Sequence, residues 1–123
     1  MRVSRRACVD RYYLLQWRGF GLFLHHIHHS DPINVTHNHP WNFVSLIFGN
    51  YVEYRKGRSV RRWGFNFLRA GVQHRIQITK PVWTLVLHGR RSVEWTVCDE
   101  VTGEVIRREP WRGVGNIEQT SYV

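Results

Sequence analysis

Short runs of apolar residues, each ended by turn residues, follow one another along most of the chain. The run 75–79 alternates Ile76 and Ile78 with polar residues, which is the period of a strand with one buried face. Gly49-Asn50, between the runs 44–48 and 51–55, predicts a two-residue hairpin turn. Segment 5–17 fits either a helical turn or an edge strand, and this choice stays open. Further strands are predicted at 22–27, 60–63, 65–68, 82–87, 92–97 and 105–108.

Eight or nine short strands predict an all-β sandwich or barrel. Composition agrees, because 42% of the 123 residues are apolar and the 14% that are aromatic favour strands. The length suits one domain spanning 1–123. The N-terminus is basic, but the apolar run of a signal peptide does not follow it. No apolar stretch is long enough for a membrane helix. Two cysteines, Cys8 and Cys98, are too few for a disulfide framework, so we expect a soluble cytoplasmic protein without membrane contact.

Positive charge is concentrated in the middle of the chain. The net charge is +9, and segment 54–93 holds ten Arg or Lys residues and no acid. Arginine supplies most of these charges, and its planar guanidinium suits phosphate and carboxylate groups. This block therefore indicates either an anionic ligand or partner, or a compositional preference for arginine without a functional cause.

Histidine is the most informative residue type in the chain. There are eight, and His37 and His39 stand two positions apart, so on a strand both imidazoles face one side. His74 begins the alternating run with Ile76 and Ile78, which predicts that it points inward. An inward histidine needs a partner for its ring nitrogens, either at a shared site with His37 and His39 or on the backbone.

These residues carry a family resemblance. The stretch 36–43 (THNHPWNF), Gly49 and the stretch 70–74 (AGVQH) resemble the two cupin motifs, H-x-H followed by an acid and a glycine, then G-x-x-H. Leu24-His25, Tyr51-Val52-Glu53, 83–85 (WTL) and Glu94-Trp95 are similar to small bacterial or phage cupins. The resemblance spans about 22–95, within a motif-bearing core of about 22–97. It implies a double-stranded β-helix, or jelly roll, with a metal bound at its mouth by His37, His39 and His74.

One motif position departs from the cupin pattern. Phe43 and Val44 stand where the family usually has a glutamate ligand. Glu53 is the candidate substitute, because a turn at Gly49-Asn50 places it opposite Leu46, on the strand face that we expect to be buried. An inward carboxylate needs a cation. Glu53 therefore either serves as a fourth metal ligand or acid–base group, or pairs with an arginine beneath the pocket.

The sequence favours a metal-dependent site for a small anionic molecule. The expected cofactor is one divalent transition metal: Fe(II), Ni(II), Mn(II), Cu(II) or Zn(II). Such a site suits a dioxygenase-like oxidoreductase or a hydrolase. The alternative is a non-catalytic protein that sequesters a nucleotide-derived signal or nucleic acid through its arginine block. We also expect a homodimer, formed where the open edge strands pair. The expected ligand-binding residues are His25, Tyr51, Arg55, Arg69 and Arg90, with Arg75 as a weaker candidate at the same opening.

Overall fold

The computed structural model describes residues 2–108 and 119–122, and these residues form strands, turns and loops without a helix. All strand pairs are antiparallel, so the predicted all-β class is confirmed. Among the described residues no helix has the length and apolarity that a membrane span requires. The strands are β1 Arg2–Arg5, β2 Val9–Trp17, β3 Phe20–Ile27, β4 Val35–His37, β5 Phe43–Arg55, β6 Arg58–Leu68, β7 Arg75–Gln77, β8 Val82–His88, β9 Thr96–Asp99, β10 Val105–Arg108 and β11 Gln119–Tyr122.

Two sheets of unequal size face each other. The large sheet has the order β11-β1-β2-β3-β8-β5-β6, and β7 also pairs with β5. The small sheet has the order β10-β9-β4. Residues of both sheets, such as Thr84 and Val86 from the large one and Val97 and Ile106 from the small one, line one cavity of about 710 Å³ between them. This arrangement is the jelly roll that the resemblance implied.

The predicted hairpin at Gly49-Asn50 is wrong. Strand β5 runs unbroken past it, with an irregularity in the β5–β6 register between Ile47 and Asn50 at which Gly49 adopts a φ of 125°. The chain turns instead at Lys56-Gly57, where both residues have positive φ values, 47° and 75°, as a two-residue primed turn requires. The open choice at segment 5–17 resolves as strand, because β2 covers most of it.

The inner face of β5 also differs from the prediction. We expected Val44, Leu46 and Phe48 to point inward, but Phe43, Ser45 and Ile47 are the buried set. Both faces of this strand are apolar enough to be mistaken for a core face. Two clusters fill the interior, one around Phe23, Trp41, Phe43, Leu68 and Val86, and the other around Ile27, Ile47, Tyr51 and Val82.

Candidate metal centre

Three histidines converge at the wall of the cavity. One ring nitrogen from each of His37, His39 and His74 lies within 4.8 Å of the other two. Three atoms within 4.8 Å of one another all lie within about 2.8 Å of a common point, which is at most about 0.7 Å longer than the bond of roughly 2.0–2.1 Å that zinc makes to histidine. The Nε2 atoms of His39 and His74 are 3.1 Å apart. Two nitrogens bound at adjacent corners of one metal are separated by roughly 3 Å. These residues could therefore hold one metal ion after small side-chain shifts.

Main-chain hydrogen bonds hold two of the three histidines in register. His37 N donates to His74 O and His74 N donates to His37 O, each at 2.9 Å, which forms an isolated antiparallel bridge. His37 ends β4 of the small sheet, and His74 stands just before β7 of the large sheet. The bridge therefore joins the two sheets at the histidine cluster itself.

The residue between the two motif histidines has a structural role that the sequence did not reveal. Asn38 is buried, its Oδ1 accepts from Thr96 N at 2.7 Å, and its Nδ2 donates to Glu94 O at 2.9 Å. His39 lies beyond the end of β4, so strand alternation alone does not orient it. Instead, Asn38 fixes this loop, and His39 stacks against the Trp41 ring with centroids 5.2 Å apart.

Glu53 lies behind His74. It is 1% exposed, and its Oε2 is 2.8 Å from Nδ1 of His74. Its Oε1 accepts from Nε of Arg62 at 3.1 Å and forms an ion pair with Nε of Arg55 at 2.7 Å. Glu53 was expected either at the metal as a ligand or acid–base group, or in a pair with an arginine. The geometry brings it to two arginines and a histidine, and not into the cluster of ligand atoms.

The carboxylate is held in its charged form. Burial raises the pKa of Glu53, but the hydrogen bond from His74 and the charges of His74 and Arg55 outweigh it and lower the pKa to about 2. A carboxylate at Nδ1 keeps a proton on that nitrogen and leaves Nε2 with its lone pair. His74 therefore presents Nε2 toward His39.

A second acid, not predicted from the sequence, serves His37 in a similar way. Asp31 Oδ2 lies 3.7 Å from Nδ1 of His37 and accepts a hydrogen bond from Ile76 N at 2.8 Å. The only sequence feature at this position is an acid between two turn-forming residues. Asp31 favours a proton on Nδ1 of His37, which leaves Nε2 as the nitrogen with a lone pair.

Burial favours the neutral form of His37 and His39. Burial lowers the pKa of His37 to about 4, although Asp31 opposes this shift. Burial and the neighbouring His37 and His74 hold the pKa of His39 well below its usual value. A neutral imidazole is the form that binds metals, so His37 and His39 need no deprotonation near pH 7.

The predicted ligand-binding residues divide into two groups. His25 and Tyr51 line the cavity. Arg11 Nε donates to His25 Nε2 at 2.9 Å, and burial followed by the Arg11 charge lowers the pKa of His25. Burial also raises the pKa of Tyr51 to about 12, so its hydroxyl keeps its proton.

None of the four arginines expected at the opening, Arg55, Arg69, Arg75 and Arg90, is among the residues that line the cavity. Arg55 pairs with Glu53, and Arg69 is exposed beyond the end of β6. Arg75 bonds Glu100 and lies 3.8 Å above the Tyr54 ring, while Arg90 donates to Arg18 O. The alternation of side chains along a β-strand indicates which face a residue lies on, but not which strand ends lie at the opening of the cavity. The arginines that line the cavity are Arg6, Arg11, Arg91 and Arg107.

The remaining histidines lie away from this centre. His26 stacks on Trp83 with ring centroids 4.3 Å apart, His28 faces Asp10 at 3.4 Å, and His29 is exposed. His88 is buried against Trp41, with Nδ1 2.8 Å from Gly89 O. In the described part of the chain, His37, His39 and His74 are the one group of three or more potential metal ligands brought together.

Solved structures with the same fold include proteins named as cupins. A cupin-2 domain protein from Shewanella frigidimarina matches with a TM-score of 0.55 and 11% identity, over 65% of this chain and 79% of its own. A cupin superfamily protein from Desulfitobacterium hafniense matches with a TM-score of 0.56 and 15% identity, over 70% of this chain and 81% of its own.

A larger protein contains a similar domain. Streptomyces albus HEPD, solved with 2-hydroxyethylphosphonate and Fe(II) bound, matches with a TM-score of 0.54 and 13% identity, over 72% of this chain. The match covers 24% of the HEPD chain. No protein-family model and no curated protein matches the sequence.

Proposed function

On the premise that this chain is a small domain of cupin fold, we propose that it binds one divalent transition metal through His37, His39 and His74. The observation that carries the proposal is the convergence of one buried and two half-buried imidazoles, and two of the three have a carboxylate near Nδ1. Three protein ligands leave coordination positions open for water or a substrate. The cupin fold of HEPD, a protein with bound Fe(II), supports a metal in this type of barrel.

We further propose that the cavity receives a small anionic molecule. Its described lining includes four arginines and one acid, Asp31. Guanidinium groups recognise carboxylate and phosphate oxygens through paired hydrogen bonds. At one wall, Arg11 lies 4.4 Å above the Phe23 ring, which fixes the plane of its guanidinium.

The chain's own groups suit a reaction beside the metal as well as binding. Glu53 holds the proton on Nδ1 of His74, and Tyr51 offers a hydroxyl that keeps its proton at the cavity wall. Trp41 and Phe43 supply an apolar lining that excludes water. A bound Fe(II) would supply oxidation by O2, and a bound Zn(II) would supply an activated water. An oxidoreductase and a hydrolase are thus both consistent with the cavity.

Metal content tests the proposal directly. We expect untagged protein to hold close to one equivalent of a transition metal by elemental analysis, and His37→Ala to lose it. The exposed His29 provides the matched control, because His29→Ala removes an imidazole away from the site. Untagged wild-type protein that neither contains nor takes up Fe, Ni, Mn, Cu or Zn would refute the metal site.

A further inference from the structure

The outer face of the large sheet carries a continuous apolar surface. The register aligns Phe67 with Val44, Leu87 and Leu22 in one row across β6, β5, β8 and β3. The next row aligns Phe65, Leu46, Leu85 and Leu24, and a third contains Phe48 and Trp83. We call these residues, together with Trp63, the outer apolar face. The nearest charged residue on this side of β6 is Arg61, which borders the face two positions before Trp63 and bonds Asn50.

The outer apolar face has a more exposed half and a less exposed half. The more exposed half, which we call the aromatic ridge, lies on β6, where Trp63, Phe65 and Phe67 are 73%, 78% and 59% exposed. The less exposed half, which we call the aliphatic shelf, is formed by Leu22, Leu24, Leu85 and Leu87 on β3 and β8, and three of these four leucines are only partly exposed.

The exposed area approaches what one partner contributes to a stable dimer. Phe48 and Trp83 add 55% and 39% exposure to that of the ridge. At roughly 200 Å² for a whole aromatic side chain, these five residues expose about 600 Å². That equals the largest apolar patches on ordinary monomers, about 300–600 Å². With the aliphatic residues between them, the face reaches the scale of the ~800 Å² that each partner buries in a standard interface.

We propose that the outer apolar face joins two copies of this chain in a symmetric dimer. A twofold axis that lies in the interface plane, parallel to the strands and above β5, places the aromatic ridge of each copy on the aliphatic shelf of the other, so that one surface complements itself. The lack of charge resembles the core of a protein interface. A nucleic-acid surface would instead place arginines among the aromatic residues to contact phosphates. This dimer forms through the sheet face, not through the edge-strand pairing expected from the sequence.

Sedimentation velocity of the full chain from about 1 to about 100 µM tests the dimer. We expect wild-type protein to sediment as a dimer and Phe65→Glu as a monomer. The substitution occurs twice in a symmetric interface, so the dissociation constant should rise about 1000-fold, or about 30-fold for each copy. Ile33→Glu is the matched control, because Ile33 is 75% exposed and lies in the loop before β4, outside the face.

Several outcomes would overturn the dimer. One is a monomeric wild type throughout this concentration range, and another is a Phe65→Glu dimer as tight as the wild type. If circular dichroism shows that Phe65→Glu does not fold, Leu87→Lys on the aliphatic shelf replaces it. A monomeric Leu87→Lys variant would support the dimer, and a dimer as tight as the wild type would overturn it. A labelled single-stranded oligonucleotide that binds a monomeric wild type, but not the variant, would assign the face to nucleic acid. Metal content is measured in parallel, so failure of the dimer and failure of the metal site remain distinguishable.

Discussion

Replacing Glu53 by Gln removes the charge behind His74 while keeping the shape of the side chain. Glu53 is buried and holds three partners, so its carboxylate stabilises the folded state only while it is ionised. The pKa of Glu53 falls from the ordinary 4.5 to about 2 on folding. Each pKa unit corresponds to about 1.36 kcal/mol, so the charged form contributes about 3 kcal/mol near neutral pH.

The sign of this contribution fixes its pH range. A carboxyl whose pKa is lowered by folding stabilises the protein above its unfolded pKa, and the stabilisation is lost as the pH falls from about 4.5 towards 2. Gln keeps an oxygen that accepts hydrogen bonds, so we expect Glu53→Gln to lose about 2–3 kcal/mol at pH 7. The wild type and the variant should converge near pH 2.

Urea unfolding of the metal-free protein between pH 2 and 7 measures this difference, since acid-sensitive groups that do not contact Glu53 contribute equally to both proteins. The melting temperature at pH 7 should fall by about 10 °C. Glu104→Gln, at an exposed glutamate, controls for loss of charge alone and should change stability by less than about 0.5 kcal/mol. Equal stability of Glu53→Gln and wild type at pH 7, or a difference independent of pH, would refute the reasoning.

Three further predictions concern the cavity and its loop. Because burial lowers the pKa of His37 to about 4, metal should remain bound at pH 6 and dissociate as the pH approaches 4, measured by equilibrium dialysis; loss complete at pH 6 would contradict this. Phosphate- or carboxylate-bearing molecules should raise the melting temperature, whereas neutral analogues should not. At a hundredfold excess over Kd, the bound anion should add about 2.7 kcal/mol to the free energy of unfolding. Asn38→Ala should cost about 1–3 kcal/mol in urea unfolding and weaken metal binding, because two backbone groups lose their partner; unchanged stability would count against this role.

The fold class was predictable because strand periodicity and turn residues are local features. Register was harder to predict, since it depends on which face of a strand is buried. On β5 the outer positions Val44, Leu46 and Phe48 are as apolar as the inner ones, while the inner face includes Ser45 because it borders a cavity. Hydrophobicity therefore indicated the wrong side of the strand.

Glu53 was nevertheless correctly expected to be buried, through two errors that cancelled. The false turn at Gly49-Asn50 and the inverted face of β5 each reversed the assignment once. The roles of Asn38 and Asp31 could not be predicted, because both depend on backbone groups that are distant in sequence, Thr96 and Ile76. The spacing of residues along the sequence indicates which of them share a strand. It does not indicate which distant backbone groups a loop residue will contact.

The main-chain bridge between His37 and His74 also has a kinetic consequence. The two residues are 37 positions apart (74 − 37), and their imidazoles meet only after the small sheet has closed on the large one. A metal ion that needs both imidazoles as ligands cannot bind the chain before this contact forms. If the contact forms after the folding transition state, the metal's binding energy stabilises the native state alone. The loaded protein should therefore fold at the same rate as the metal-free protein but unfold more slowly, with a longer lifetime in the closed state.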